Sequence, residues 1–193
     1  MAADSKGRDI GAAPVYVTGA AAYAPVAAAN VLTKAALGAA TIELPVGFKF
    51  LGLRTSDGGP EESREAGDAT EFLESGFEIS GAGSVTLKFT LAQYNAIVRE
   101  FVNQAPDANG VIEVSADIPS DPFIFYTEAV MKNGTIERQL GVAKLQETAR
   151  QKDEKGSVKG VEVTVKWLPH ELFNNKPYFE AQVGVAPVPD PEP

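Results

Sequence analysis

The sequence contains no cysteine, one histidine, one tryptophan and two methionines among 193 residues. Without cysteine there is no disulfide framework, no thiolate nucleophile and no thiolate zinc site, so packing alone must hold the fold. His170 has neither the second histidine of an HExxH zinc site nor a cysteine partner. No metal site or Ser-His-Asp triad can be built around it, and a structural role is expected. Positive charge is also scarce: 17 Lys and Arg stand against 26 Asp and Glu, a net charge of −9. That balance argues against a surface that grips phosphates by counterion release.

Long apolar runs are missing as well. The Ala-rich stretch 19–40 is interrupted by Pro25, Asn30 and Lys34, short of the roughly 20 apolar residues of a spanning helix. Residues 1–11 carry two acids and lack the basic start and apolar run of a signal peptide, so export is not expected. Gly81-Ala82-Gly83 lacks the third glycine of a nucleotide loop and reads as a hairpin turn. The acid-rich stretch 57–68 lacks the alternating oxygen ligands around a central glycine of a calcium loop. Glu61 with Glu62, and Asp153 with Glu154, fall on expected surface loops where burial cannot tune a carboxyl for catalysis. No cofactor, metal or catalytic set is expected.

What is present is a turn-rich β pattern, with 18 glycines and 13 prolines. Residues 1–40 show little period of either 2 or 3.6 and read as an extended arm with one short helical turn. Residues 41–46 and 48–54 read as strands, and a turn cluster follows. A long polar loop is expected over 55–69, comprising Thr55, Ser56, Asp57, Gly58 and Gly59, then Glu61, Glu62, Arg64, Glu65 and Asp68. Residues 77–79 and 85–89 read as a hairpin about the turn 80–84, the second strand alternating Val85, Leu87 and Phe89 with Thr86, Lys88 and Thr90.

Leu91, Tyr94, Ile97, Val98, Phe101 and Val102 then recur at helical spacing, which predicts one amphipathic helix packed on the sheet. Thr90 and Gln93 have the form of its capping box, and Pro106 ends it after Gln104. Strands are expected over 111–118, 123–132, 135–148 and 160–168, with a type I′ turn at Asn133-Gly134 and an exposed polar hairpin over 150–159. The last strand alternates Val161, Val163, Val165 and Trp167 with Glu162, Thr164 and Lys166. Residues 184–193, with proline at alternate positions from Pro187, read as an unpacked polyproline-like tail. The expected organisation is an arm over 1–40, one mainly β domain over 41–183 and that tail.

Phe50-Leu51-Gly52-Leu53-Arg54-Thr55-Ser56-Asp57-Gly58, the acidic stretch ending Thr70-Glu71-Phe72, and Val85-Thr86-Leu87-Lys88-Phe89-Thr90-Leu91 before a helix resemble, in that order, the major tail tube proteins of long-tailed, siphovirus-like bacteriophages. The resemblance spans residues 47–102. It implies a β-sandwich or barrel-like subunit with one helix on the sheet, forming hexameric rings that stack into a tube in the phage tail. It further implies assembly in the host cytoplasm, tape-measure, tail-terminator and baseplate proteins as partners, and genomic DNA passing through the lumen without specific binding. Six copies would carry −54, six times −9, so an acidic lumen would repel DNA. On this reading the arm 1–40 and the loop 55–69 make the contacts between stacked rings. The tube of a contractile tail or type VI secretion-like device shares the pattern. A monomeric β-barrel carrier of a small ligand would show similar strands around an apolar cavity.

Overall fold

The computed structural model describes residues 13–71, 76–103 and 105–184. Eight strands form one antiparallel sheet: β1 (Tyr16–Pro25), β2 (Lys49–Phe50), β3 (Glu61–Glu71), β4 (Glu78–Leu91), β5 (Phe123–Met131), β6 (Ile136–Arg150), β7 (Val161–Leu168) and β8 (Tyr178–Val183). Two short helices, α1 (Lys34–Leu37) and α2 (Ala96–Val102), complete a mainly β fold. The strand order is β2-β1-β5-β6-β7-β4-β3, and β8 also pairs with β6.

Strand β6 organises the sheet. Its first half pairs with β5 on one edge and β8 on the other, and its second half, from Val142, pairs with β7. Strands β7 and β8 therefore take successive halves of one edge, with a register shift between Leu145 and Glu147 marking the bend. At the β8 end, Gly141 lies opposite Tyr178. A Cβ at Gly141 would stand 2.3 Å from the Pro177 carbonyl oxygen. Replacing Gly141 by alanine is expected to cost about 1–3 kcal/mol by forcing β8 outward, read as a lower urea midpoint.

The run β1-β5-β6-β7-β4 is closed by the segment 49–58. Phe50 pairs with Ala22 and the Leu51 amide donates to the Ala21 carbonyl (2.9 Å), whereas Ala92 N donates to Leu53 O (2.8 Å) and Thr90 N to Gly58 O (3.0 Å). One side of this segment thus begins on β1 and ends on β4, and the sheet curls into a barrel-like ring. Alternation along the strands then sorts side chains into two cores. Inside lie Phe123 and Phe125 of β5, Phe89 of β4, Val161, Val163, Val165 and Trp167 of β7, with Val98, Phe101 and Val102 of α2. On the outer face Ile124, Tyr126, Leu140 and Val142 are covered by Leu37 of α1, Phe173 and partly buried residues of the connection 26–48.

Several elements differ from the sequence reading. Residues 16–25 are a strand inside the sheet, and residues 26–44 cover its outer core, so the described part of 1–40 is not an extended arm. Residues 1–12, and 185–193 of the expected tail, lie outside the described residues. Residues 41–46 form no strand, and only Lys49–Phe50 of 48–54 is assigned as one. The expected loop 55–69 contains β3, whose partner β4 runs unbroken through 80–84, so Gly81-Ala82-Gly83 is strand and not a hairpin turn. Residues 111–118 have no strand partner.

The helix starts later than expected. Thr90 and Leu91 pair with Glu162 and Val161 and so stay extended as the end of β4. Tyr94 sits in the exposed connection, and Asn95 caps α2 by accepting the Val98 amide at 3.0 Å. Ile97, Val98 and Phe101 do face the core. The β5–β6 turn also differs in type. Gly134 has φ +86 but Asn133 is not at positive φ, and Gly134 N donates to Met131 O at 3.0 Å. This is a three-residue loop with glycine at the left-handed position, not a type I′ turn.

Candidate assembly interface

The strands β3 and β4 pair from Glu61 with Lys88 to Glu71 with Glu78, but β7 reaches β4 only from Thr86. Residues 78–84 of β4 therefore pair with β3 alone, and the ribbon leaves the body for about 20 Å, six or seven residues at 3.3 Å each. Both its faces are wet. Residues 76–83 are all exposed, including Phe77 (68%) and Ile79 (61%) near the turn. The strands approach closely where Gly67 opposes Gly81, since a Cβ at Gly67 would lie 2.5 Å from the Ala82 carbonyl oxygen. A two-stranded ribbon with no third strand and no packed face is marginal in water. Exposed aromatic and β-branched side chains on it call for a covering surface.

The base of the ribbon is fixed to the body by a polar clamp. The Glu62 carboxylate accepts from Arg64 Nε (2.7 Å), Gln139 Nε2 (2.8 Å) and the Tyr178 hydroxyl (2.9 Å), and the same hydroxyl accepts from Arg64 Nη2. This ties β3 to β6 and β8 across the barrel. Burial first, then the Glu62 carboxylate, pushes the Tyr178 phenol up to about 12. Tyr23 is likewise pushed up to about 12 by burial and then Glu100, and Tyr126 is raised by burial and Glu128.

A phenol raised on folding contributes stability that is whole below its ordinary value of 10.0 and is lost as pH rises through its folded value. Ultraviolet titration of the folded protein is therefore expected to show three of the five tyrosines forming phenolate only near or above pH 12. Tyr178→Phe should remove one from that late group. An unchanged late amplitude would contradict the clamp.

The ten residues expected to form one stacking loop are divided. Gly58 is buried against β4, with Thr55 N donating to Thr90 O at 3.1 Å. Thr55, Ser56 and Asp57 border a depression of about 750 Å³ beside the β6–β7 connection, and Gly59 is an exposed link to β3. Glu62 and Arg64 belong to the clamp, whereas Glu61, Glu65 and Asp68 are exposed along β3. Phe77 and Ile79 were outside the expected contact set. Their signal is apolar residues in a strand whose neighbours 80–84 are small and polar.

Arg138 is the other residue that sequence reasoning missed. It occupies a position in phase with Ile136, Leu140 and Val142, where an apolar side chain would be expected. His170 caps a short turn, its Nδ1 accepting the Leu172 amide at 3.2 Å. Among the described residues no three His, Asp or Glu side chains are placed to hold a metal ion, and no helix is long and apolar enough to cross a membrane. No protein-family model and no curated protein matches this sequence.

Proposed function

We propose that the chain is a structural subunit of a phage tail tube, assembling with copies of itself and performing no catalysis. The observation that supports this reading best is the projecting β3–β4 ribbon, clamped at its base and apolar near its turn. Such a ribbon is unstable alone and is stabilised by lying on a neighbouring subunit, and the open edge of β3 would gain partners in the same contact. In a stack of hexameric rings the ribbon reaches the next ring. The net charge of −9 per copy suits a wall past which DNA slides without binding. Tape-measure, terminator and baseplate proteins would meet the tube at its lumen and ends.

The carrier reading fits less well. The barrel interior is filled by Phe89, Phe125, Trp167 and their neighbours, with ring centroids 5.7 and 5.8 Å apart, instead of enclosing an apolar cavity. Negative-stain microscopy of the concentrated protein tests the proposal, with rings or tubes as the expected result. A concentration-independent species of 20.4 kDa by light scattering, with no assemblies on the grid, would overturn it.

A further inference from the structure

Residues 111–117, although not a strand, alternate like one and separate two depressions of opposite charge. Glu113, Ser115 and Asp117 border one, together with Glu100 of α2. Ile112 and Val114 border the other, of about 300 Å³, with Tyr94, Arg99 and Arg150. The Arg150 guanidinium lies 4.6 Å from the Tyr94 ring centre and donates to its hydroxyl. Arg99 donates Nη2 to the Gly110 carbonyl at 2.8 Å. Among the described residues neither arginine joins an ion pair; Arg150 is exposed and Arg99 half-buried. Two such guanidinium groups beside an aromatic ring and two aliphatic side chains form a cup for a carboxylate on an apolar or proline-rich chain.

We infer that this cup takes the acidic, proline-rich segment 185–193 of another copy. That segment, Val-Ala-Pro-Val-Pro-Asp-Pro-Glu-Pro, offers Pro187, Val188 and Pro189 to the apolar wall and the carboxylates of Asp190 and Glu192 to the arginines. The chain's own segment starts far from the cup. It follows Gly184, which adjoins Gly134 at the start of β6, while Arg150 ends β6 fourteen residues beyond Ile136. A strand of that length, if straight, spans about 45 Å, whereas the six residues from Gly184 to Asp190 reach at most about 22 Å and the eight to Glu192 about 29 Å. The contact therefore joins copies head to tail, and it does not depend on the tube reading.

Fluorescence anisotropy of a labelled synthetic peptide of residues 184–193, titrated with the full-length protein, tests the inference. Saturable binding that weakens with salt is expected. Arg99→Gln and Arg150→Gln in the protein, and Asp190→Asn with Glu192→Gln in the peptide, should each weaken it by about tenfold or more. A peptide carrying Asp190→Lys and Glu192→Lys should not bind wild-type protein but should bind Arg150→Glu protein. Circular dichroism checks that each protein variant is folded; if one is not, the peptide-side changes against wild type decide alone. Absence of saturable binding, binding indifferent to the peptide's carboxylates, or binding of inorganic phosphate but not of peptide would each overturn it.

Discussion

Arg138→Ala is expected to lower stability by about 3–5 kcal/mol, because it takes the buried donor away from three carbonyl oxygens and from the half-buried Glu128 carboxylate. The side chain is 2% exposed, and its Nε stands 2.8 Å from Glu128 Oε2. Its Nη1 donates to the carbonyl oxygens of Leu37 (3.0 Å) and Ala39, and Nη2 to that of Ala40 (3.4 Å). The arginine therefore satisfies carbonyls at and just after the end of α1 and pins the connection 26–48 over the outer core. Its loss should unseat that cover from Ile124, Tyr126, Leu140 and Val142. For a domain of this size the melting temperature should fall by about 6–20 °C, with increased binding of an apolar dye. Arg138→Met preserves bulk but not the hydrogen bonds and should remain several kcal/mol below wild type by the same argument. A near-neutral Arg138→Ala in urea denaturation would refute the pinning role.

Excising the ribbon is expected to separate folding from assembly. Glu65 opposes Ser84, so residues 66–83 can be deleted and the strands rejoined through Asn-Gly. Among the described residues the inner core of Phe123, Phe125 and Trp167 includes none of those deleted, and the Glu62 clamp is kept. The shortened chain should unfold cooperatively at a urea midpoint close to wild type. Its concentration for assembly should rise by about hundredfold or more, corresponding to roughly 3 kcal/mol of lost contact. The milder pair Phe77→Ser and Ile79→Ser should move in the same direction by less. Light scattering that shows wild-type assemblies from the excised chain would remove the ribbon from the interface.

The sequence made legible those strands with one uniformly buried face. Val161, Val163, Val165 and Trp167 alternate with polar residues because β7 has a core on one side only. Strand β1 escaped notice for the opposite reason. Ala21 and Ala22 are both buried, on opposite faces, in different cores, so no alternation survives, and alanine has little strand preference. Strand β3 was hidden because neither of its faces is buried along the ribbon, and charged residues are what an edge strand carries. The periodicity of Leu91 and Tyr94 with α2 was real as a spacing. It lost to pairing, since Leu91 bonds into the ladder with Val161. The same competition scattered the expected stacking residues between a turn, a clamp and an exposed ribbon, while Arg138 and the Arg99–Arg150 cup depend on contacts between residues far apart in sequence.

The position of β1 also sets a timetable. Pro25 pairs with Phe123 and Tyr16 with Met131, separations of 98 (123 − 25) and 115 (131 − 16) residues. At a synthesis rate of about 5–20 residues per second, the first strand made waits roughly 5–20 s for its partner to emerge. The hairpins β3–β4 and β5–β6 close locally and early, whereas the barrel is completed only when this late pairing forms. An unfinished chain therefore carries the ribbon before the body that orients it is complete.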